Sequence, residues 1–157
     1  MAKFQKKKNG ELPAISTASL PDIVFMLLFF FMVATTMRET NVMVEQRLPT
    51  ANQVEKLQNE NLVMYIYAGS PSKRFRSQFG TAPRVQLNDK FASVSDIQSF
   101  VLQQRNTKSP TVRNNLIWSL KIDQKTNMSL VSDIKFQLRR AEAYQISYAA
   151  SEGDPTL

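Results

Sequence analysis

The chain has no cysteine and no histidine. Together these absences exclude disulfide staples, thiol catalysis, and any metal site or catalytic triad built on imidazole or thiolate. Glycine is also scarce, 4 in 157 residues, and no glycine-rich phosphate loop can be drawn. Acidic residues are in deficit, 13 against 20 Lys and Arg, for a net charge of +7. Such a balance suits nucleic acid, an anionic membrane surface or an acidic partner. The length suits one modest domain. The apolar residues are unevenly placed along it.

From Leu12 to Met37 the only charged residue is Asp22. The densest stretch, Ile23 to Ala34, is apolar at every position. A helix apolar on all sides is not an ordinary surface helix. About 20 residues span a hydrocarbon layer of ~30 Å, so 12–38 is expected to be a transmembrane helix. Pro21 lies near its entry, where proline is tolerated or kinks the helix. A cleavable signal peptide competes with this reading, but Asp22 would fall within its apolar region and no good small-x-small site follows Ala34. Lys3, Lys6, Lys7 and Lys8 outweigh Glu11 in the tail 1–11, whereas Arg38, Glu39, Glu45 and Arg47 nearly cancel. The positive-inside rule then places the N-terminus in the cytoplasm and the rest outside the inner membrane, in the periplasm.

A carboxylate at mid-bilayer costs about 2.5–3.5 kcal/mol on insertion scales. If the helix ends at Met37, Asp22 lies roughly 22 Å before that end, toward the cytoplasmic side. The bland reading is an anion tolerated near a helix start, where the dipole favours it. The functional reading is a carboxyl facing a partner helix or wet cavity, binding and releasing a proton. One helix cannot supply such a path alone, so other membrane helices are implied. Ser16, Thr17, Ser19, Thr35 and Thr36 flank the run, either lining a proton path or packing against a neighbouring helix.

The order of features is distinctive. A basic tail and small polar run precede Pro21-Asp22-Ile23 and an apolar stretch closing in Phe31-Met32-Val33. Val44-Glu45-Gln46-Arg47-Leu48-Pro49-Thr50-Ala51 follows, then a small α/β region. This pattern resembles the ExbD/TolR family of biopolymer-transport proteins. The resemblance places Asp22 on the family's proton-carrying Asp and Leu48-Pro49 on its linker motif. It implies a homodimer whose helices sit inside a pentameric ring of an ExbB/TolQ-like multi-span subunit. Proton flow there would energise a TonB- or TolA-type protein. It implies no cofactor, no metal and no enzyme activity. Lipid is an expected partner and nucleic acid is not.

Residues 39–60 read as a periplasmic linker, with Val42, Val44, Leu48 and Pro49 as candidate partner contacts. The folded domain is expected over 61–149, with 150–157 a disordered tail. Strands are expected at 62–67, 84–87, 116–122 and 145–149 and helices at 96–106 and 129–143. That gives a small α+β domain of order β-β-α-β-α-β, helices on one face of the sheet. Ser95 and Gln98 form a capping-box pattern. The stretch 69–83, with Lys73, Arg74 and Arg76, reads as a loop. Asp123 follows a strand with no second catalytic group beside it and reads as a turn residue. The alternative to a motor subunit is a membrane-anchored periplasmic binding or scaffold protein in which Asp22 carries no ion.

Overall fold

The computed structural model describes Gly10, Thr17 and residues 19–34 and 40–154. The chain divides between Glu39 and Thr40 into two units.

The first unit contains helix α1, Ser19–Ala34. Leu20 N–H donates to Thr17 O at 3.3 Å. Pro21 sits in the first turn, where its missing N–H would have had no acceptor within the helix. The 16 residues of α1 give about 24 Å of helix. Among the described residues no helix is long and apolar enough to cross a membrane. The expected span 12–38 runs past α1 at both ends, outside the described residues.

The second unit begins with β1, Thr50–Ala51, and a single 3-10 turn at Glu60–Leu62. Then come β2 (Val63–Gly69), α2 (Arg76–Phe79), β3 (Arg84–Leu87) and β4 (Lys90–Ala92). After these follow α3 (Asp96–Thr107), α4 (Pro110–Arg113), β5 (Ile117–Ile122), α5 (Met128–Arg140), β6 (Ile146–Tyr148) and β7 (Ser151–Glu152). Five strands form one sheet in the order β4-β3-β2-β5-β6. β2 pairs antiparallel with β3 and parallel with β5, and β5 pairs parallel with β6.

Register explains the core. Ile66 lies between Leu87 and Leu120, and Ala68 between Val85 and Ile122. Because side chains alternate across a sheet, these rows share one face. Ile97, Phe100 and Val101 of α3 and Val131, Ile134 and Leu138 of α5 are buried, and most of them join the same apolar cluster as the sheet rows. The Phe100 and Trp118 rings meet edge-to-face at 6.2 Å, the arrangement aromatic quadrupoles favour.

Several expectations need correction. The strand 90–92 was not foreseen; it follows a two-residue turn in which Asn88 adopts φ 53°, a conformation Asn tolerates. The helix start at α3 is not built by Ser95 and Gln98. Asp96 Oδ2 accepts from Ser93 N–H at 2.8 Å, the acidic half of a capping box set two residues earlier, while Asp96 N–H donates to the Ser93 carbonyl at 3.1 Å. The expected tail contains β7, which pairs parallel with β1; residues 155–157 lie outside the described ones. The stretch 69–83 is not all loop, since it contains α2, and Phe75 and Phe79 pack against Phe91 at 6.2 and 4.7 Å.

The largest correction concerns the linker. Residues 41–51 form a strap bound to the domain. Glu45 N–H donates to Ser70 O and Ser72 N–H to Met43 O, both at 2.8 Å. Val44 bridges to Pro71 and is buried. Polar composition and Pro49 disguised this, because most of the strap's bonds are made with distant segments. Gly69 makes the approach possible: a Cβ there would sit 2.7 Å from Glu45 O and 3.1 Å from Asp123 Cβ. Gly69→Ala should therefore push the strap off, destabilising the domain by about 1–3 kcal/mol, the usual range for an overpacked contact. Urea denaturation, with hydrogen exchange at the Glu45 and Ser72 amides, reads this directly. Unchanged exchange would mean that the strap yields freely.

Candidate functional site

Two places carry the residues singled out by the sequence: α1 and the strap. Asp22 is the acidic residue of the first turn of α1. Helical spacing sets Phe25, Met26, Phe29 and Val33 on its side of the helix. None of these can satisfy a carboxylate. Ser19 lies one turn before Asp22, and Thr17 lies in the turn leading into the helix. Ser16, Thr35 and Thr36 fall outside the described residues.

The four linker positions fare differently. Val42 is exposed, Leu48 is half-buried and Pro49 is exposed. Val44 is only 3% exposed, so its side chain is committed to the domain rather than open to a partner. Pro49 borders a cleft of about 370 Å³ that Ile122, Met128 and Val131 also line. Its carbonyl accepts from Ser151 N–H at 2.9 Å, which ties the strap to β7.

Two polar residues that the sequence did not mark as functional hold the strap. Gln86 is fully buried. Its Nε2 donates to Asn41 O and Asn88 O at 2.7 Å each, and its Oε1 accepts from Met43 N–H at 2.7 Å. Asp123 is buried as well; Oδ1 accepts from Arg47 N–H at 2.9 Å and Oδ2 from Lys125 N–H at 3.2 Å. The second bond is the turn expected of Asp123, and the first is a clasp on the strap. Arg84-Val85-Gln86-Leu87 alternates polar and apolar residues, so by sequence Gln86 looks solvent-facing and carries no signal of its burial. The basic stretch contributes too: Arg76 pairs with Glu45 at 2.8 Å and donates to Pro71 O at 3.1 Å, while Lys73 and Arg74 are exposed.

On the sheet face opposite the helices, Tyr67 sits between Gln86 and Lys121. Lys121 Nζ lies 4.3 Å from the Tyr65 ring centroid and 5.7 Å from that of Tyr67, within cation–π range. Burial first, then the Tyr65 and Asp89 charges, push the Tyr67 hydroxyl above its ordinary value. Among the described residues no group of three or more acidic side chains could hold a metal ion. Asp123 has no catalytic partner; its oxygens are spent on backbone amides.

These features define a class: an apolar helix bearing one carboxylate, joined to a small α+β domain. The family comparison is specific. Residues 8–153 match the family model described as biopolymer transport protein ExbD/TolR. The chain belongs to the ExbD/TolR family, whose members serve transport and are not enzymes. No curated protein and no solved structure gives a significant match.

The Tyr67 environment sets a pH dependence. Its folded pKa exceeds the unfolded one, so its contribution to stability is complete below about pH 10 and is lost as pH climbs through the folded value. Tyr67→Phe should flatten the fall in the urea midpoint between about pH 9 and about pH 12. An identical alkaline slope in both proteins would show that Tyr67 does not set it.

Proposed function

We propose that this chain is the ion-carrying subunit of an inner-membrane motor that uses the proton gradient to do work at the outer membrane. The family is anchored in the inner membrane and generally works with ExbB/TolQ and TonB/TolA partners. In this reading 12–38 crosses the membrane, with the N-terminus cytoplasmic and the domain periplasmic. The helix packs as a homodimer within a pentameric ring of an ExbB/TolQ-like subunit. Asp22 takes up a proton on one side and releases it on the other. The membrane potential supplies about 2.3 kcal/mol per charge per 100 mV. The domain passes the resulting movement to a TonB- or TolA-like protein, with Val42, Leu48 and Pro49 as contact residues.

The observation that carries this reading is the single carboxylate within an otherwise apolar helix. Protonation neutralises a carboxylate, so a proton has a place to ride. Among the described residues of α1 Asp22 is the only carboxylate, which suits H⁺ better than Na⁺. The family match supports the reading because it runs through both helix and domain. The second reading, an anchored scaffold, keeps the domain's binding role and gives Asp22 none.

Asp22→Asn separates the two, since Asn keeps size and polarity but cannot ionise. Activity that depends on the proton gradient should be abolished in cells expressing this variant. Membrane level and partner pull-down should match wild type. Full activity with intact assembly would remove the motor mechanism and leave the scaffold.

A further inference from the structure

We propose that a cleft at the N-terminal end of β5 binds a carboxylate side chain presented by an acidic peptide segment of a partner protein. The cleft has a volume of about 270 Å³. Arg105 and Arg113 line it, with Trp118 and Tyr144. Arg105 comes from the last turn of α3 and Arg113 from the end of α4. Lys108-Ser109 separates the two helices, and α4 begins with Pro110 at its first position, where a missing N–H costs nothing.

The other wall is set by the end of α5. Glu142 N–H donates to Arg139 O at 3.0 Å and Ala143 N–H to Leu138 O at 2.9 Å. Glu142 occupies the left-handed region at φ 58°. This is a Schellman ending, and it buries Ala143 while leaving Tyr144 73% exposed at the rim.

Both guanidiniums are positioned but little used. Arg105 Nη1 donates to Ala141 O at 3.1 Å, and Arg113 Nε donates to Lys108 O at 3.0 Å. Each guanidinium has five N–H donors, so most of both forks has no protein acceptor. Among the described residues neither arginine forms an ion pair with an acid, although Glu142 also lines the cleft. Two held, unneutralised forks in one concavity match the planar, bidentate geometry of a carboxylate.

The rest of the lining selects a peptide over a bare anion. Leu116, Trp118 and Ala143 form a buried apolar floor, and the exposed Tyr144 ring gives the rim an apolar surface that a hydrated inorganic anion would leave uncovered. The volume suits about one side chain, falling just under the usual ~300–1,000 Å³ of small-molecule sites. Tyr and Arg, here Tyr144 with Arg105 and Arg113, are among the residues that anchor protein interfaces. Residues 40–157 carry 15 Lys and Arg against 10 Asp and Glu, a net charge of +5, which favours an acidic partner over distance as well.

The test needs no label and no proton gradient, so it is independent of Asp22. Trp118 is the chain's single tryptophan, and its fluorescence reports the cleft. The full chain in detergent micelles is titrated with the capped peptide Ac-Gly-Leu-Glu-Phe-Gly-NH₂, with the same peptide carrying Gln for Glu, and with inorganic phosphate. The Glu peptide should give a saturable change that weakens with salt. Affinity should fall by about tenfold or more for the Gln peptide, and similarly for Arg113→Gln, as the charge-assisted bonds are lost. Arg113→Lys, which keeps charge but not the fork, serves if Arg113→Gln alters the urea midpoint, and it should also weaken binding. Equal affinity for the two peptides, no saturable change, or wild-type affinity in a folded Arg113 variant would overturn the proposal. Phosphate binding as tightly as the Glu peptide would also overturn it, in favour of a simple anion site.

Discussion

β2 receives hydrogen bonds on both edges, antiparallel from β3 and parallel from β5. The domain depends on this double pairing. It sets Ile66 and Ala68 on one face, in rows that α3 and α5 can cover. It also turns Tyr65 and Tyr67 to the other face, where no helix of the main cluster lies. A sheet with a fully buried strand must cover both faces. The second face has only short pieces available: the strap, α2, and the segment before β2. The strap is therefore part of what lets β2 be central.

The strap is secured mainly by polar contacts. Its ion pair, Arg76 with Glu45, has side chains 37% and 32% exposed, and pairs so open to water contribute about 0–1 kcal/mol. Gln86 differs because it is fully buried. With the strap absent, its amide would lose two of its three partners, and an unsatisfied buried polar group costs about 1–3 kcal/mol. Asp123 adds the same constraint at Arg47. Buried side chains thus fix the strap at both ends, with Gly69 giving room between them. Burial, more than charge, makes its placement specific.

The helices and main strands were legible because their side-chain periods are local. Ile97, Phe100 and Val101 repeat at helical spacing, and Leu116 to Ile122 is a continuous β-rich run. The strap was not legible, since its partners are distant in sequence: Met43 bonds Gln86, Arg47 bonds Asp123, and Pro49 bonds Ser151. No local pattern encodes such pairs. The same reason hid β1 and β7, each two residues long. Asp22 was legible by contrast alone, as one charge in an apolar run. Arg105 and Arg113 were not, because each looks like an ordinary solvated cation until the fold brings them to one cleft.

Asp22 also constrains what must surround it. On its side of α1 the next turns offer Phe25, Met26, Phe29 and Val33. No aromatic ring, thioether or methyl group among them can donate a hydrogen bond to a carboxylate. The later turns of α1 therefore do nothing to offset the desolvation of an ionised Asp22; within the helix only its start, where Ser19 lies, is polar. In a membrane, a carboxylate in this setting needs a hydrogen-bond donor on another helix. A carrier that loads and unloads a proton needs an environment that changes around it. The proposed motor assigns that changing environment to the ring of partner helices, and in that proposal proton carriage is a property of the complex rather than of the helix alone.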